Sequence, residues 1–154
     1  MHGTSIGVRT KDLNDLIGKL KQGLPVGVFD RLRDRLDVPD KMLASTVNIA
    51  YRTLSRRKKE GRFKTDESER VLRIAKLYEK ALDVLEDEKL ARQWFRVPAK
   101  ALGGKTPLQY ADTEPGAEEV NDLLGRMEYG AVSYTHLTLP TTLNSCRSRW
   151  WAYQ

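Results

Sequence analysis

Apolar residues recur at helical spacing through the first 130 positions, and Gly, Pro, Asn or Asp falls at most of the breaks between stripes. Leu13, Leu16, Ile17 and Leu20 make the first stripe, expected to be capped by Thr10 and closed at Gly23 before Pro25. A second helix directs Val26, Phe29, Leu32 and Leu36 inward, with Arg31, Arg33, Asp34 and Arg35 largely outward. Asp37-Val38-Pro39-Asp40 breaks it, and Pro39 or Asp40 starts the next helix. Leu43, Ala44, Val47, Ile49 and Leu54 then fit the spacing of a helix-turn-helix. Small Ala44 lets the second helix of the motif approach, and Asn48 stands at a tight turn where positive φ favours Gly or Asn. Leu54 points back toward the core, and Gly61 ends that second helix.

Thr65-Asp66-Glu67 is expected to cap the longest helix, with both acids where the helix dipole favours them. Val71, Leu72, Ala75, Tyr78, Leu82 and Leu85 form its stripe, widened by Ile74, Leu77, Ala81 and Val84. That width suits a core on one side and a second subunit on the other. Leu90, Ala91, Trp94 and Phe95 continue on a shorter helix stopped by Pro98. Residues 98 to 107 are irregular around Gly103-Gly104, and Thr106-Pro107 opens a short helix over Leu108 to Ala111. Asp112-Thr113 caps a last helix carrying Ala117, Val120, Leu123, Leu124 and Met127, which Gly130 is expected to terminate. No strand pattern or internal repeat precedes residue 131, so the predicted class is all-α.

Charge changes this picture in one place. From Arg52 to Lys64 the chain holds Arg52, Arg56, Arg57, Lys58, Lys59, Arg62 and Lys64 against Glu60 alone, a net +6 equal to that of the whole chain. The rest balances, twenty basic against twenty acidic. A localised surplus suits phosphate neutralisation, since counterions are released where charge is concentrated; a solvated helix face is the plainer alternative. The motif's outer face would hold Ala50, Tyr51, Arg52, Ser55, Arg56 and Lys59, the side that enters a major groove. Two features depart from the commonest pattern: Asn48 in place of Gly, and Arg57 where many such helices carry an apolar residue.

The reactive residue types narrow the chemistry. His2, His136 and Cys146 lie near the ends, and residues 3 to 135 contain neither His nor Cys. His-based acid–base catalysis, a thiol nucleophile and a Cys/His zinc site are therefore excluded from the body of the chain. No Gly-rich phosphate loop is present. The sequence offers no catalytic residue set, metal site or cofactor site; an enzyme working with carboxylates or a Ser/Lys pair is the remaining enzymatic alternative. No apolar run reaches the roughly 20 residues of a membrane span, the N-terminus lacks a secretory h-region, and one cysteine precludes an intramolecular disulfide. A cytoplasmic protein is expected.

Residues 131 to 154 break the texture. They contain no acid, while the preceding 130 hold all 21, and they carry two of the three tryptophans. The stretch VSYTHLTLPTT is similar to peptides produced when adapter or vector DNA is translated at the broken end of a reading frame. Residues from about Val132 onward are expected to be non-native, a partner-binding extension being the alternative.

From about residue 25 to 131 the chain resembles the antitoxins of the Xre/MbcA/ParS group, partners of RES-domain toxins. The resemblance rests on YRTLSRRKKEGRFKTDESERVLRIAKLYEKA, on ARQWFRVPAKALGGKTPLQYADTEPGAEEV and on NDLLGRMEYG. It implies an all-α fold with an Xre-like helix-turn-helix followed by a small helical toxin-binding module. The expected divisions are an N-terminal helix over 1–24, the helix-turn-helix domain over 25–86, the toxin-binding module over 87–131 and the anomalous tail over 132–154. It also implies neutralisation of an NAD-degrading toxin by binding and occlusion, and autorepression at the operator, as a homodimer within a larger toxin–antitoxin complex. Carried onto this sequence, DNA reading falls on Arg52, Ser55 and Arg56 beside Tyr51, with Lys59 and Arg62 on phosphates. Toxin contact falls on Trp94, Leu102, Gly103, Gly104, Thr106, Pro107 and the last helix to Tyr129. From the residues alone Trp94 is expected to be ordinary core, with the border of a partner's docking surface as the alternative. The rival reading of the whole is a helix-turn-helix regulator without a toxin partner.

Overall fold

The structure is a computed structural model that describes residues 7–135, with side chains described through residue 128. Among the described residues the order is α1 (Leu13–Gln22), α2 (Val26–Leu36), α3 (Asp40–Thr46), α4 (Tyr51–Glu60), α5 (Thr65–Leu85), α6 (Glu88–Arg96), a 3-10 turn η1 (Lys100–Leu102), α7 (Pro107–Tyr110) and α8 (Glu114–Thr135). The only pairing of extended backbone among the described residues is a single bridge between Pro25 and Arg62. The all-α expectation therefore holds. Contacts divide the chain between Glu79 and Lys80, inside α5, into two compact units.

In the first unit the expected inward residues of α2 are buried: Phe29, Leu32 and Leu36 are fully enclosed, and Val26 nearly so. Each such side chain contributes about 1.5–3 kcal/mol by leaving water. The loop after α1 closes on the segment after α4: the Val26 amide donates to the Gly61 carbonyl (3.0 Å), and the Phe63 amide to Leu24 (3.0 Å). Gly23 has φ 90°, and a Cβ there would lie 2.0 Å from the Phe63 carbonyl oxygen, so this crossing requires glycine. Ser68, buried in α5, fastens the junction by accepting from the Leu24 amide (2.8 Å) and donating to the Lys64 carbonyl (2.8 Å).

Three sequence expectations are corrected. Asp12, not Thr10, caps α1, accepting from the Asp15 amide at 2.9 Å; Thr10 is buried two residues upstream. Thr65 is already the first residue of α5, and the start is held instead by Glu67, whose carboxylate accepts from the Lys64 amide (2.9 Å). Gly130 does not end α8, which runs on to Thr135. Propensity explains this last difference: one glycine costs a helix interior only about 1 kcal/mol. Of the segment expected to be non-native, residues 136–154 lie outside the described residues.

In the second unit α6 packs on α7 and α7 on α8. Thr106 and Gln109 form a reciprocal capping box around Pro107 at the first position of α7. Thr113 caps α8, accepting from the Gly116 amide at 3.1 Å. Ala117, Val120 and Leu124 are buried along α8, as their spacing required.

Candidate nucleic-acid interface and docking module

The motif predicted from Leu43 to Leu54 is α3-turn-α4, and the two helices pack together. Asn48 adopts φ 54°, the left-handed conformation that its place in the turn demands. The Ile49 amide then returns to the Ala44 carbonyl (2.9 Å). Arg70, from α5, holds the same turn by donating to the carbonyls of Val47 (2.7 Å) and Asn48 (3.4 Å). That clamp is not legible in the sequence, because it joins residues 23 positions apart.

Burial sorts the cations of α4. Leu54 and Arg57 face inward, both at most 5% exposed, whereas Tyr51, Arg52, Ser55, Arg56 and Lys59 are exposed. Arg57 occupies the position where an apolar side chain is the commoner choice, and its charge is answered on the spot. Its Nε and Nη2 donate to the two carboxylate oxygens of Glu67 at 2.7 and 3.2 Å, and Nη1 donates to Glu60 at 2.8 Å. Those hydrogen bonds, Glu67's first, stabilise the guanidinium and raise its pKa further. Burial pushes the Glu67 carboxyl upward, but hydrogen bonds from Arg57 and from the Lys64 amide outweigh it and hold the group below its ordinary value. Arg57 is thus a structural cation and does not belong to the outward face.

Lys58 is likewise engaged. Its ammonium donates to Asp40 at 2.6 Å and lies 3.6 Å from Asp30, while Arg33 donates to the other Asp40 oxygen at 2.6 Å. This network ties α2, α3 and α4 together. The Asp40 carboxyl is lowered by the Arg33 hydrogen bond and then by Lys58, and Lys58 is raised by Asp40.

Arg52, Arg56 and Lys59 remain on the outward face, at the spacing of successive turns. Arg56 has only a loose approach to Glu60, 4.0 Å. Arg62 lies beyond the helix, donating to the Gly23 carbonyl at 2.7 Å. At the other end Ala50 offers α4 no side-chain cap, leaving first-turn amides for an external acceptor. Lys41 lies over the Tyr51 ring, 5.3 Å from its centre, and adds a cation to that end which sequence reasoning does not select.

The second unit presents a different surface. Phe95 and Ala91 are buried, and Trp94, half-buried, stands edge-on to Phe95 at 5.1 Å. Leu90, expected inward, is 48% exposed, and Val97 is 56% exposed. Leu90 and Trp94, one turn apart on α6, and Val97, in extended backbone just past its end, leave apolar surface on this side of the unit. Beyond this surface Gly103 and Gly104 have φ 66° and 85°, are exposed, and have open space where a Cβ would stand. Leu102 and Pro107 are buried anchors beneath that turn, and Thr106 is half-buried. The side chain of Tyr129 lies outside the described residues. No group of His, Cys, Asp and Glu among the described residues could hold a metal ion, and no described helix is long and apolar enough to cross a membrane.

Comparison with known proteins places both parts. The Antitoxin Xre-like helix-turn-helix domain matches residues 15–76, and the Antitoxin Xre/MbcA/ParS C-terminal toxin-binding domain matches residues 80–130. A protein of Yersinia enterocolitica named Antitoxin Xre is 36% identical over 120 residues, covering 77% of this chain and 81% of the relative. One of the same name from Photorhabdus laumondii is 36% identical over 116 residues, covering 74% and 78%. A Sphingobium protein named Prs ADP-ribosylating antitoxin is 29% identical over 127 residues, covering 76% and 80%. With a helix-turn-helix whose outer face is basic, followed by a toxin-binding domain, the chain belongs to the Xre/MbcA/ParS family of antitoxins.

Proposed function

We propose that this chain neutralises a RES-domain, NAD-degrading toxin by binding it and occluding its active site, and that it represses its own operon through α3 and α4. The observation that carries the operator-binding half of the reading is the sorting of charge on α4; the toxin half is supported by the toxin-binding domain match over residues 80–130. Arg57 and Lys58 are consumed by structure, while Arg52, Arg56 and Lys59 are left on one exposed face. Residues 25–86 would read the operator and residues 87–131 would hold the toxin. The apolar surface of Leu90, Trp94 and Val97 and the Gly103-Gly104 turn form the docking surface, with Leu102, Thr106 and Pro107 shaping it from below and Tyr129 extending it along α8. The Sphingobium relative carries ADP-ribosylation in its name. Such reactions consume NAD, which agrees with a toxin whose substrate is NAD. The chain acts in the cytoplasm by occlusion, without turnover, and as a homodimer, because paired half-sites match two-fold symmetric readers.

Arg52 and Arg56, beside Tyr51 and Ser55, contact base edges, and Lys59 and Arg62 contact phosphates. Each Arg→Ala change costs about 1–3 kcal/mol of operator affinity and relaxes specificity. Lys59→Ala weakens binding to every sequence and reduces the salt slope by about one unit. Fluorescence anisotropy on operator and scrambled duplexes separates these outcomes; equal, sequence-independent losses for all three refute the base-reading roles. For the toxin, the test is co-expression with the neighbouring reading frame while cellular NAD is followed. Depletion by the neighbour and restoration by this chain support occlusion. A harmless neighbour leaves a helix-turn-helix regulator without a toxin.

A further inference from the structure

The first unit contains a cavity of about 300 Å³ at the junction of the N-terminal segment, α1, the loop into α2, α2 and Arg62, which follows α4. Arg9, Lys19, Arg31 and Arg62 line it, and no Asp or Glu is among its described lining residues. Its floor is apolar, with Val8 4% and Leu24 1% exposed. Lys19 reaches Asp15 at 3.2 Å and also donates to the Arg9 carbonyl. Arg62 is anchored on a neutral backbone group, the Gly23 carbonyl.

Four cations around one concavity with a low-dielectric floor focus a positive potential into it, which favours an anion there. The backbone is also shaped to seat one of them. Gly7 has φ 88°, and a Cβ there would fall 2.5 Å from Nη1 of Arg31; a Cβ at Gly27 would lie 3.8 Å from Nη2. The Arg31 guanidinium therefore packs against Gly7 at the rim of the concavity, where a side chain at position 7 would displace it. Planar guanidinium groups match phosphate oxygens, and a cavity of this size accommodates more than one phosphate group.

We propose that this cavity is a phosphate-binding site, filled either by a backbone phosphate of bound DNA or by a free phosphorylated small molecule. It lies at the end of the recognition helix, since Arg62 is bridged to Pro25 and the neighbouring Gly61 carbonyl accepts from Val26. Only the DNA alternative rests on the operator-reading function proposed above, and nothing here depends on the toxin.

The test uses the full chain and inorganic pyrophosphate, followed by isothermal titration calorimetry at constant ionic strength. Pyrophosphate is expected to bind the parent, about tenfold more weakly to Arg9→Gln/Arg31→Gln, and more weakly to Gly7→Ala, which alters the seat of Arg31 without altering charge. Circular dichroism confirms that the variants are folded. The salt dependence of duplex binding identifies the source. A slope reduced by about one unit in Arg9→Gln/Arg31→Gln, with or without measurable pyrophosphate binding, assigns the site to the DNA backbone. An unchanged slope with pyrophosphate bound assigns it to a free ligand. Arg52→Ala, which impairs base reading alone, keeps pyrophosphate binding, so failure of the DNA reading is distinguishable. Pyrophosphate binding that is absent, or equal in parent and variants, together with an unchanged slope, overturns the proposal.

Discussion

Glu67→Ala tests whether the charge sorting on α4 depends on α5. In the folded chain Glu67 is 6% exposed, accepts from Nε and Nη2 of Arg57, and accepts from the Lys64 amide at the start of α5. Removing one partner of a buried pair costs about 3–5 kcal/mol; Glu60 still holds one nitrogen of Arg57, which places this case near the lower end. The orphaned Lys64 amide adds about 1 kcal/mol. A loss of about 4 kcal/mol is a large share of an ordinary domain's stability of roughly 5–15 kcal/mol. Urea unfolding of the full chain, followed by far-UV circular dichroism, measures it. Arg57→Leu/Glu67→Gln should recover to within about 1.5 kcal/mol of the parent, because an apolar residue suits the inward position and the amide carbonyl introduced on α5 can still accept from Lys64. A loss below about 1 kcal/mol for Glu67→Ala, or a double variant no better than the single, refutes the reasoning. The pH dependence carries a fixed sign. The folded-state pKa of Glu67 lies below its unfolded value, so its contribution is complete above about pH 4.3 and is lost as pH falls through the folded pKa. Parent and Glu67→Gln should therefore converge in stability only in that acid range.

Two glycines of α8 should respond oppositely to the same change. A Cβ at Gly116 would lie 1.9 Å from the Tyr110 carbonyl oxygen, so Gly116→Ala is expected to cost about 1–3 kcal/mol by forcing α7 and α8 apart. At Gly125 the nearest atom is the end of the flexible Lys80 side chain, 3.5 Å away, and Gly125→Ala should gain about 0.5–1 kcal/mol in the same unfolding assay. Leu90→Ser/Val97→Ser should leave stability within about 0.5 kcal/mol per site, since both positions are exposed, and should weaken toxin capture by more than about 1 kcal/mol. Unchanged affinity in a pull-down or calorimetric titration removes this apolar surface from the docking site.

The elements are legible wherever a local signal decides them. Asn48 at positive φ, the Thr106-Pro107 opening of α7 and the inward residues of α2 each follow from a few adjacent residues. The failures arise where a local sign competes with another determinant: a better-placed neighbour, a cumulative helical bias, or the edge of a stripe. Thr10 has a capping side chain, but Asp12 already supplies the cap and Thr10 is buried. Gly130 has the residue type of a helix end, yet helix formation on both sides outweighs one glycine. Leu90 sits in the right period for a buried stripe but at its edge, where period alone cannot decide exposure.

The charge surplus shows the same limit at the level of function. Sequence counting treats all seven cations from Arg52 to Lys64 as one patch. Folding divides them by range of interaction. Arg57 is spent on an acid ten positions ahead, and Lys58 on one eighteen positions back, so each becomes a brace between helices. A phosphate approaching the surface meets Arg52, Arg56 and Lys59 with their charge unspent by short ion pairs. It does not reach Arg57, buried against Glu67, and at Lys58 it meets a cation already held by Asp40. On the proposed operator-reading function, affinity should therefore follow Arg52, Arg56 and Lys59, while the rigidity that presents them depends on the braces made by Arg57 and Lys58. Neutralising Lys58 and neutralising Lys59 are adjacent changes of equal formal charge, but they act on different free energies: the first on the packing of α4 against α2 and α3, the second on the electrostatics of binding.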